Sequence, residues 1–253
     1  MEYKNTNYQI AFYNGKRRAY KGSRGILYAE KHIEYINNHM PDIGLVSFII
    51  NKSDELVDNE LVEFINNSDI KFNYEIILRD NNGFSYGAWE EVMRKNYDEY
   101  DYAFIIEDDY IPSRPDTLQY FYRKFTENEH YIYVCSLWRN NHPSISNGMI
   151  KTELFKDPDN LNRLKVYGGI GYVGKTGNNN GYVGKLGGGH NQTHFMTEFV
   201  KKKNSKGQIL DKRYIITDIT DVGHTIFYRY VGMSKGELIT FHNGELPLLI
   251  EPI

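Results

Sequence analysis

From Tyr8 to Pro112 the sequence alternates short apolar runs with segments of helical hydrophobic period, and this alternation restricts the fold more than any other feature. YQIAFY at 8–13, GLVSFII at 44–50, YEIIL at 74–78 and AFII at 103–106 are too short for buried helices and rich in β-branched and aromatic residues. Strands covered on both faces read this way. Between them, residues 26–38, 56–66 and 88–97 place apolar side chains three and four apart, the spacing of one helix face. Repeats of this length close through right-handed crossovers into a parallel sheet with helices on both faces. The pattern predicts an α/β fold with a Rossmann-type, mostly parallel central sheet, residues 1–253 forming a single domain. Further on it predicts a helix over 117–125 with Asp116 as N-cap, a strand over 131–137, a mixed polar stretch over 146–164, a helix over 191–203 and a strand over 214–216.

The fourth apolar run ends in three consecutive carboxylates, Glu107, Asp108 and Asp109, ahead of Tyr110-Ile111-Pro112. In an open α/β sheet the loops leaving the carboxyl ends of the strands diverge, and ligands bind in the crevice so formed. Adjacent acids repel one another unless a cation sits among them. Along an extended chain Glu107 and Asp109 point to one side and Asp108 to the other, which suits a divalent ion whose remaining positions are filled by water and phosphate oxygens. A solvated acidic turn is the other reading of the same residues.

Charge narrows the function classes. Thirty Lys and Arg against 33 Asp and Glu leave a net charge of −3, with no long run of either sign, so no nucleic-acid partner is expected. No stretch approaches the ~18 uninterrupted apolar residues of a membrane span, and MEYKNTNYQI lacks an apolar leader core. The expectation is a cytoplasmic protein with no integral membrane segment. Cys135 is the only cysteine, which excludes an intrachain disulfide and a cysteine-rich zinc site. Arg17, Arg18, Lys21 and Arg24 crowd the loop after the first strand, placed either to meet a diphosphate or simply to be solvated. Gly169 to Thr176 matches the phosphate-loop pattern G-x-x-x-x-G-K-[ST], but Gly177-Asn-Asn-Asn-Gly181 follows where that motif needs a helix to begin. The glycine-rich stretch 168–189 therefore reads as a long flexible loop or hairpin, with a lid whose lysines reach a diphosphate as the other reading.

LRDNNGFSYGAWEEV, followed by YDYAFIIEDDYIPSRPDTL, resembles the glycosyltransferases of the GT-A fold, in particular glycosyltransferase family 2 and the rhamnan-synthesis type of enzyme. In those families an Arg-x-Asn-x-Gly-like segment precedes a helix, and a strand then ends in a DxD-type acidic motif followed by proline. The likeness runs over residues 44–118 and extends to the remainder by general plan. It implies a GT-A-like sheet with a nucleotide-sugar half at 1–115 and an irregular acceptor half at 116–253. It also implies transfer of a sugar from a nucleotide-diphosphate sugar to a hydroxyl acceptor such as a glycan, with inversion, and with Mn2+ or Mg2+ on the diphosphate. By position, Asp109 matches the metal-binding acid, while Glu107 or Asp108 shares the metal or lies near the donor ribose. Asp54, Arg79, Asn82 and Gly83 fall where the nucleoside is gripped, and Tyr13 and Asn14 end the first strand beside the base. His242 resembles the late histidine that completes the metal shell in several members. Glu198, with Asp221 behind it, is the candidate base for the acceptor hydroxyl.

The sequence also departs from the pattern. Thr197-Glu198 stands where family 2 often has Glu-Asp, and Asn51-Lys-Ser-Asp54 replaces Asp-Gly-Ser, which leaves base, sugar, acceptor and stereochemistry open. Two other functions fit the same acids: a nucleotidyltransferase on a related sheet, and a carbohydrate-binding protein without activity. Nothing in the sequence fixes an oligomeric state.

Overall fold

The computed structural model describes residues 3–13, 25–53, 55–81, 84–135, 138–139, 142–143, 147–163, 200–203, 208–210, 214–218, 227–230, 237–242 and 245–252. The first half alternates as expected: β1 (Thr6–Tyr13), α1 (Gly25–His39), β2 (Leu45–Asn51), α2 (Glu55–Asn67), β3 (Tyr74–Arg79), α3 (Phe84–Asn96) and β4 (Tyr102–Glu107). Then come β5 (Tyr110–Pro112), α4 (Thr117–Glu127), β6 (Tyr131–Cys135), a two-stranded ribbon of β7 (Trp138–Arg139) and β8 (His142–Pro143), and β9 (Asn147–Lys151). Two short helices, α5 (Glu153–Lys156) and α6 (Pro158–Arg163), precede β10 (Val200–Lys203), β11 (Gln208–Leu210), β12 (Tyr214–Asp218), β13 (Phe227–Tyr230), β14 (Glu237–His242) and β15 (Glu245–Pro252).

The main sheet has the order β10-β11-β12-β6-β9-β4-β1-β2-β3. Among its strands only β9 and β11 run against the rest, so the mostly parallel, helix-flanked sheet expected of the sequence is present. Alternation along β1 divides the interior in two. Tyr8, Ile10 and Phe12 join Phe48 and Phe104 in the larger core under α1, α2 and α4, while Ala11, Ile49 and Ile105 pack on the other face against Trp89 of α3 and Leu154 and Phe155 of α5.

Order and chain path together fix where a crevice opens. From β1 the chain steps outward to β2 and β3, then crosses back to place β4 on the other side of β1. The carboxyl ends of β1 and β4 thus flank the topological switch point. Just beyond β4, β5 leaves the main sheet and edges a second one, of order β15-β14-β13-β5. Phe227 of β13 anchors this sheet to the larger core, its ring centroid 6.4 Å from that of Phe104 and 6.3 Å from that of Phe121.

Several sequence expectations need correction. Residues 200–203 are strand rather than helix, because Val200–Lys203 gains ladder hydrogen bonds from β11; 191–199 lie outside the described residues. The polar stretch 146–164 hides β9, which separates β4 from β6 and pairs antiparallel with both. Asp116 stands at the N-cap of α4 but makes no capping bond, since its carboxylate takes two bonds from Arg114, at 3.0 and 3.2 Å. His242, the candidate late histidine, is the last residue of β14. The basic stretch 14–24 and the glycine-rich stretch 168–189 lie outside the described residues. No helix among the described residues is long and apolar enough to cross a membrane.

Candidate active site at the carboxyl end of the sheet

The strand ends are level with one another. Tyr13 of β1 pairs with Asn51 of β2, Asn51 with Arg79 of β3, and Ala11 with Glu107 of β4. β4 stops at Glu107, so Asp108 and Asp109 form the turn into β5 and the strict alternation expected of the three acids ends there. The acids are divided between neighbouring elements. Glu107 is half-buried and accepts a hydrogen bond from Ser85 Oγ at 3.0 Å, in the first turn of α3, where the helix dipole also favours a carboxylate. The Asp108 amide donates to Ala11 O at 3.1 Å, and its carboxylate accepts from the Tyr13 amide at 3.2 Å. Asp108 and Asp109 are 1% and 3% exposed, so both acids lie within the turn rather than out in solvent.

Beneath the turn stands a residue that the sequence reading passed over. His32 of α1 is fully buried, with Nε2 3.2 Å from the Asp108 carbonyl oxygen and Nδ1 3.5 Å from the Tyr8 hydroxyl. A carbonyl only accepts, so Nε2 carries the hydrogen and donates, and Nδ1 accepts a hydrogen bond from the Tyr8 hydroxyl. Burial lowers the His32 pKa to about 3, against the smaller opposing effect of its bond to Asp108. The imidazole is therefore neutral near neutral pH. Burial likewise raises the Tyr8 phenol well above its ordinary range, which keeps it a donor. The sequence signal was a single polar residue in the buried stripe of α1, between Ala29 and Ile36.

Asn51 and Arg79 brace the other strand tips. Asn51, 2% exposed, donates from Nδ2 to Phe12 O at 3.1 Å and accepts from Arg79 Nη1, while Arg79 Nε meets Glu91 of α3 at 2.7 Å. Arg79, expected from the resemblance to grip a nucleoside, thus ties β1, β2, β3 and α3 together. A cavity of about 460 Å³ opens nearby at the carboxyl ends of β2 and β3, lined by Lys52, Ser53, Glu55, Asp58, Asn59 and Leu78.

Not all of the expected site is brought together. Tyr110 is level with Arg229 and Arg229 with Ile239, so His242 lies three residues along β14 in the direction leading away from Asp109. At ~3.3 Å per residue the two backbone levels are roughly 13 Å apart, and β14 is also two strands removed from β5. That register sets His242 apart from the acidic turn. No group of three or more His, Cys, Asp and Glu converges as a metal site among the described residues. What the turn does offer is hard carboxylate oxygen, and one or two carboxylates, with water and phosphate completing the shell, is the donor set Mg2+ and Mn2+ accept. The residues present fit such an ion. Asn14, Asp54, Asn82, Gly83, Glu198 and Asp221 lie outside the described residues.

No protein-family model matches the sequence, and no curated protein does. Solved structures do match. One is the mannosyltransferase PcManGT from Pyrobaculum calidifontis in complex with GDP-Man and Mn2+, with a TM-score of 0.47 and 11% identity over 60% of this chain and 46% of that one. Another is glucosyl-3-phosphoglycerate synthase from Mycobacterium tuberculosis with Mn2+, UDP and glucosyl-3-phosphoglycerate, with a TM-score of 0.42 and 11% identity over 60% of this chain and 58% of that one. A third is CMP:2-keto-3-deoxy-manno-octonic acid synthetase complexed with CTP, with a TM-score of 0.44 and 9% identity over 61% of this chain and 77% of that one. The chain therefore spans about half the length of the first two proteins it matches, 46% and 58%.

Proposed function

We propose that this chain is a metal-dependent glycosyltransferase that moves a sugar from a nucleotide-diphosphate sugar to a hydroxyl acceptor of a glycan, with inversion. The observation that carries the reading is the acidic turn. Asp108 and Asp109 are buried at the switch point between β1 and β4, with the Asp108 carboxylate bound by the last amide of β1. That is where a sheet of this topology receives a nucleotide, and the sequence around the turn is the part that resembles GT-A enzymes.

In this reading Asp109 holds the divalent ion, with Glu107 or Asp108 sharing it or meeting the donor ribose. When bound, Mn2+ or Mg2+ would stabilise the negative charge that gathers on the departing nucleoside diphosphate. Tyr13 and Asn14 border the base, and Asp54, Asn82 and Gly83 border the nucleoside. Arg79 acts through Asn51 and Glu91 to hold the strand tips. Glu198, with Asp221 as the second candidate, takes the proton of the acceptor hydroxyl.

The test is a thermal-shift panel of UDP, GDP, CDP, dTDP, CMP and ATP, each with Mn2+, with Mg2+ and with a chelator. A ligand that binds only the folded chain adds about 2.7 kcal/mol at a hundred times its dissociation constant. The expected outcome is stabilisation by one nucleoside diphosphate that needs metal and disappears in Asp109→Ala. Binding of a nucleoside triphosphate with pyrophosphate released onto a sugar phosphate would replace the proposal with a nucleotidyltransferase. Glycan binding that ignores both nucleotide and chelator would replace it with a carbohydrate-binding protein.

A further inference from the structure

We infer that His32 is a positioning residue for the acidic turn: its imidazole, held from below by the Tyr8 hydroxyl, grips the Asp108 carbonyl and so sets the direction of the Asp108 and Asp109 carboxylates. The inference rests on the proposed role of those acids in holding metal and nucleotide.

Asp108 and Asp109 follow the last residue of β4 and precede the first of β5, and the Asp108 amide still reaches back to Ala11 O of β1. A buried carbonyl left without a donor is costly, so the Asp108 carbonyl needs one. α1 supplies it through a side chain. The stripe that α1 turns inward is otherwise Tyr28, Ala29, Ile33, Tyr35 and Ile36, and His32 among them is fully buried. Burying an imidazole is unfavourable unless both nitrogens find partners. Here Nε2 faces Asp108 O at 3.2 Å and Nδ1 faces Tyr8 Oη at 3.5 Å.

Two bonds therefore fix the Asp108 backbone from opposite directions: its amide to Ala11 O at 3.1 Å and its carbonyl to His32. With both held, the peptide joining Asp108 to Asp109 cannot rotate freely. The Asp108 carboxylate is then kept on the Tyr13 amide, and Asp109 follows from a peptide of fixed direction. The rings of Tyr8 and Phe12, with centroids 6.1 and 6.3 Å from that of His32, confine the imidazole in turn. An apolar residue at position 32 would fill the space and lose the grip.

Free Mn2+ is titrated against the protein by electron paramagnetic resonance, first alone and then with UDP, GDP, CDP or dTDP, in wild type, His32→Leu, His32→Gln and His32→Asn. A Gln amide reaches about as far as Nε2 and restores the donor, whereas an Asn amide stops near Nδ1. His32→Leu and His32→Asn are expected to bind Mn2+ with nucleotide about 10–100-fold more weakly, the usual effect of losing a group that orients metal ligands, and His32→Gln to stay within about threefold of wild type on the same grounds. Ile36→Val, which loosens the same helix without touching the turn, should lower Tm and leave Mn2+ affinity unchanged.

The failures are separable. If wild type binds no Mn2+ with any of the four nucleotides, the reading of the acids falls and the role of His32 with it. If wild type binds and the folded Leu variant binds equally well, the positioning role alone is overturned. Should the Leu variant not fold, Gln and Asn variants of equal affinity would overturn it in the same way.

Discussion

A neutral imidazole under the acidic turn ties stability to pH in a direction that can be worked out. The His32 pKa falls from 6.5 to about 3 on folding, chiefly through burial. Between those values the unfolded chain holds a proton that the native chain does not, so acidification favours unfolding. The contribution is fully present above pH 6.5 and is lost as pH falls toward 3, at about 1.4 kcal/mol per pH unit at most. Unfolding free energies of metal-free protein from urea titrations at pH 6.5 and pH 5 should therefore differ by up to about 2 kcal/mol more in wild type than in His32→Gln, whose amide does not titrate. Restricting the comparison to that window keeps most carboxylates ionised in both proteins. Identical slopes would mean that His32 is not held neutral in the folded chain.

Elements differ in how openly the sequence announces them, and β9 shows why. β1 to β4 are legible because each is a continuous apolar run, and α1 to α3 because their buried faces repeat at three and four residues. β9 reads Asn-Gly-Met-Ile-Lys, which alone resembles a turn. Its glycine is required by a distant partner: a Cβ on Gly148 would overlap the hydroxyl and ring of Tyr133 on the adjacent β6. Gly148→Ala should accordingly cost about 1–3 kcal/mol, as overpacked cores do. An unchanged denaturation midpoint would show that Tyr133 moves aside without penalty. The site divides along the same line. Asp108 and Asp109 stand out in the sequence because they end an apolar run, whereas His32 and Asn51 act on main-chain carbonyls of Asp108 and Phe12, partners 76 and 39 residues away that no local pattern names.

At the scale of the whole molecule, the acidic turn is the hinge point between two sheets. β4 delivers it from the main sheet and β5 carries the chain into the second, whose β13 closes back on the larger core through Phe227. Phe227 is 4% exposed and lies near the rings of Phe104, Phe121 and Tyr110, with centroids 6.4, 6.3 and 6.5 Å away. Its backbone pairs with Pro112, three residues beyond Asp109. Truncating it should therefore act twice. Phe227→Ala is expected to cost about 3–5 kcal/mol of global stability through the cavity it leaves. By loosening β5 it should also weaken Mn2+ binding with nucleotide under conditions where the variant is fully folded. A core truncation on the opposite face, Phe155→Ala, has a similar cost in stability but no path to β5, and it should leave Mn2+ affinity unchanged. Urea unfolding and Mn2+ titration on the pair separate the two effects. Equal loss of Mn2+ affinity in both variants would mean that general destabilisation, and not the second sheet's grip on β5, governs the turn.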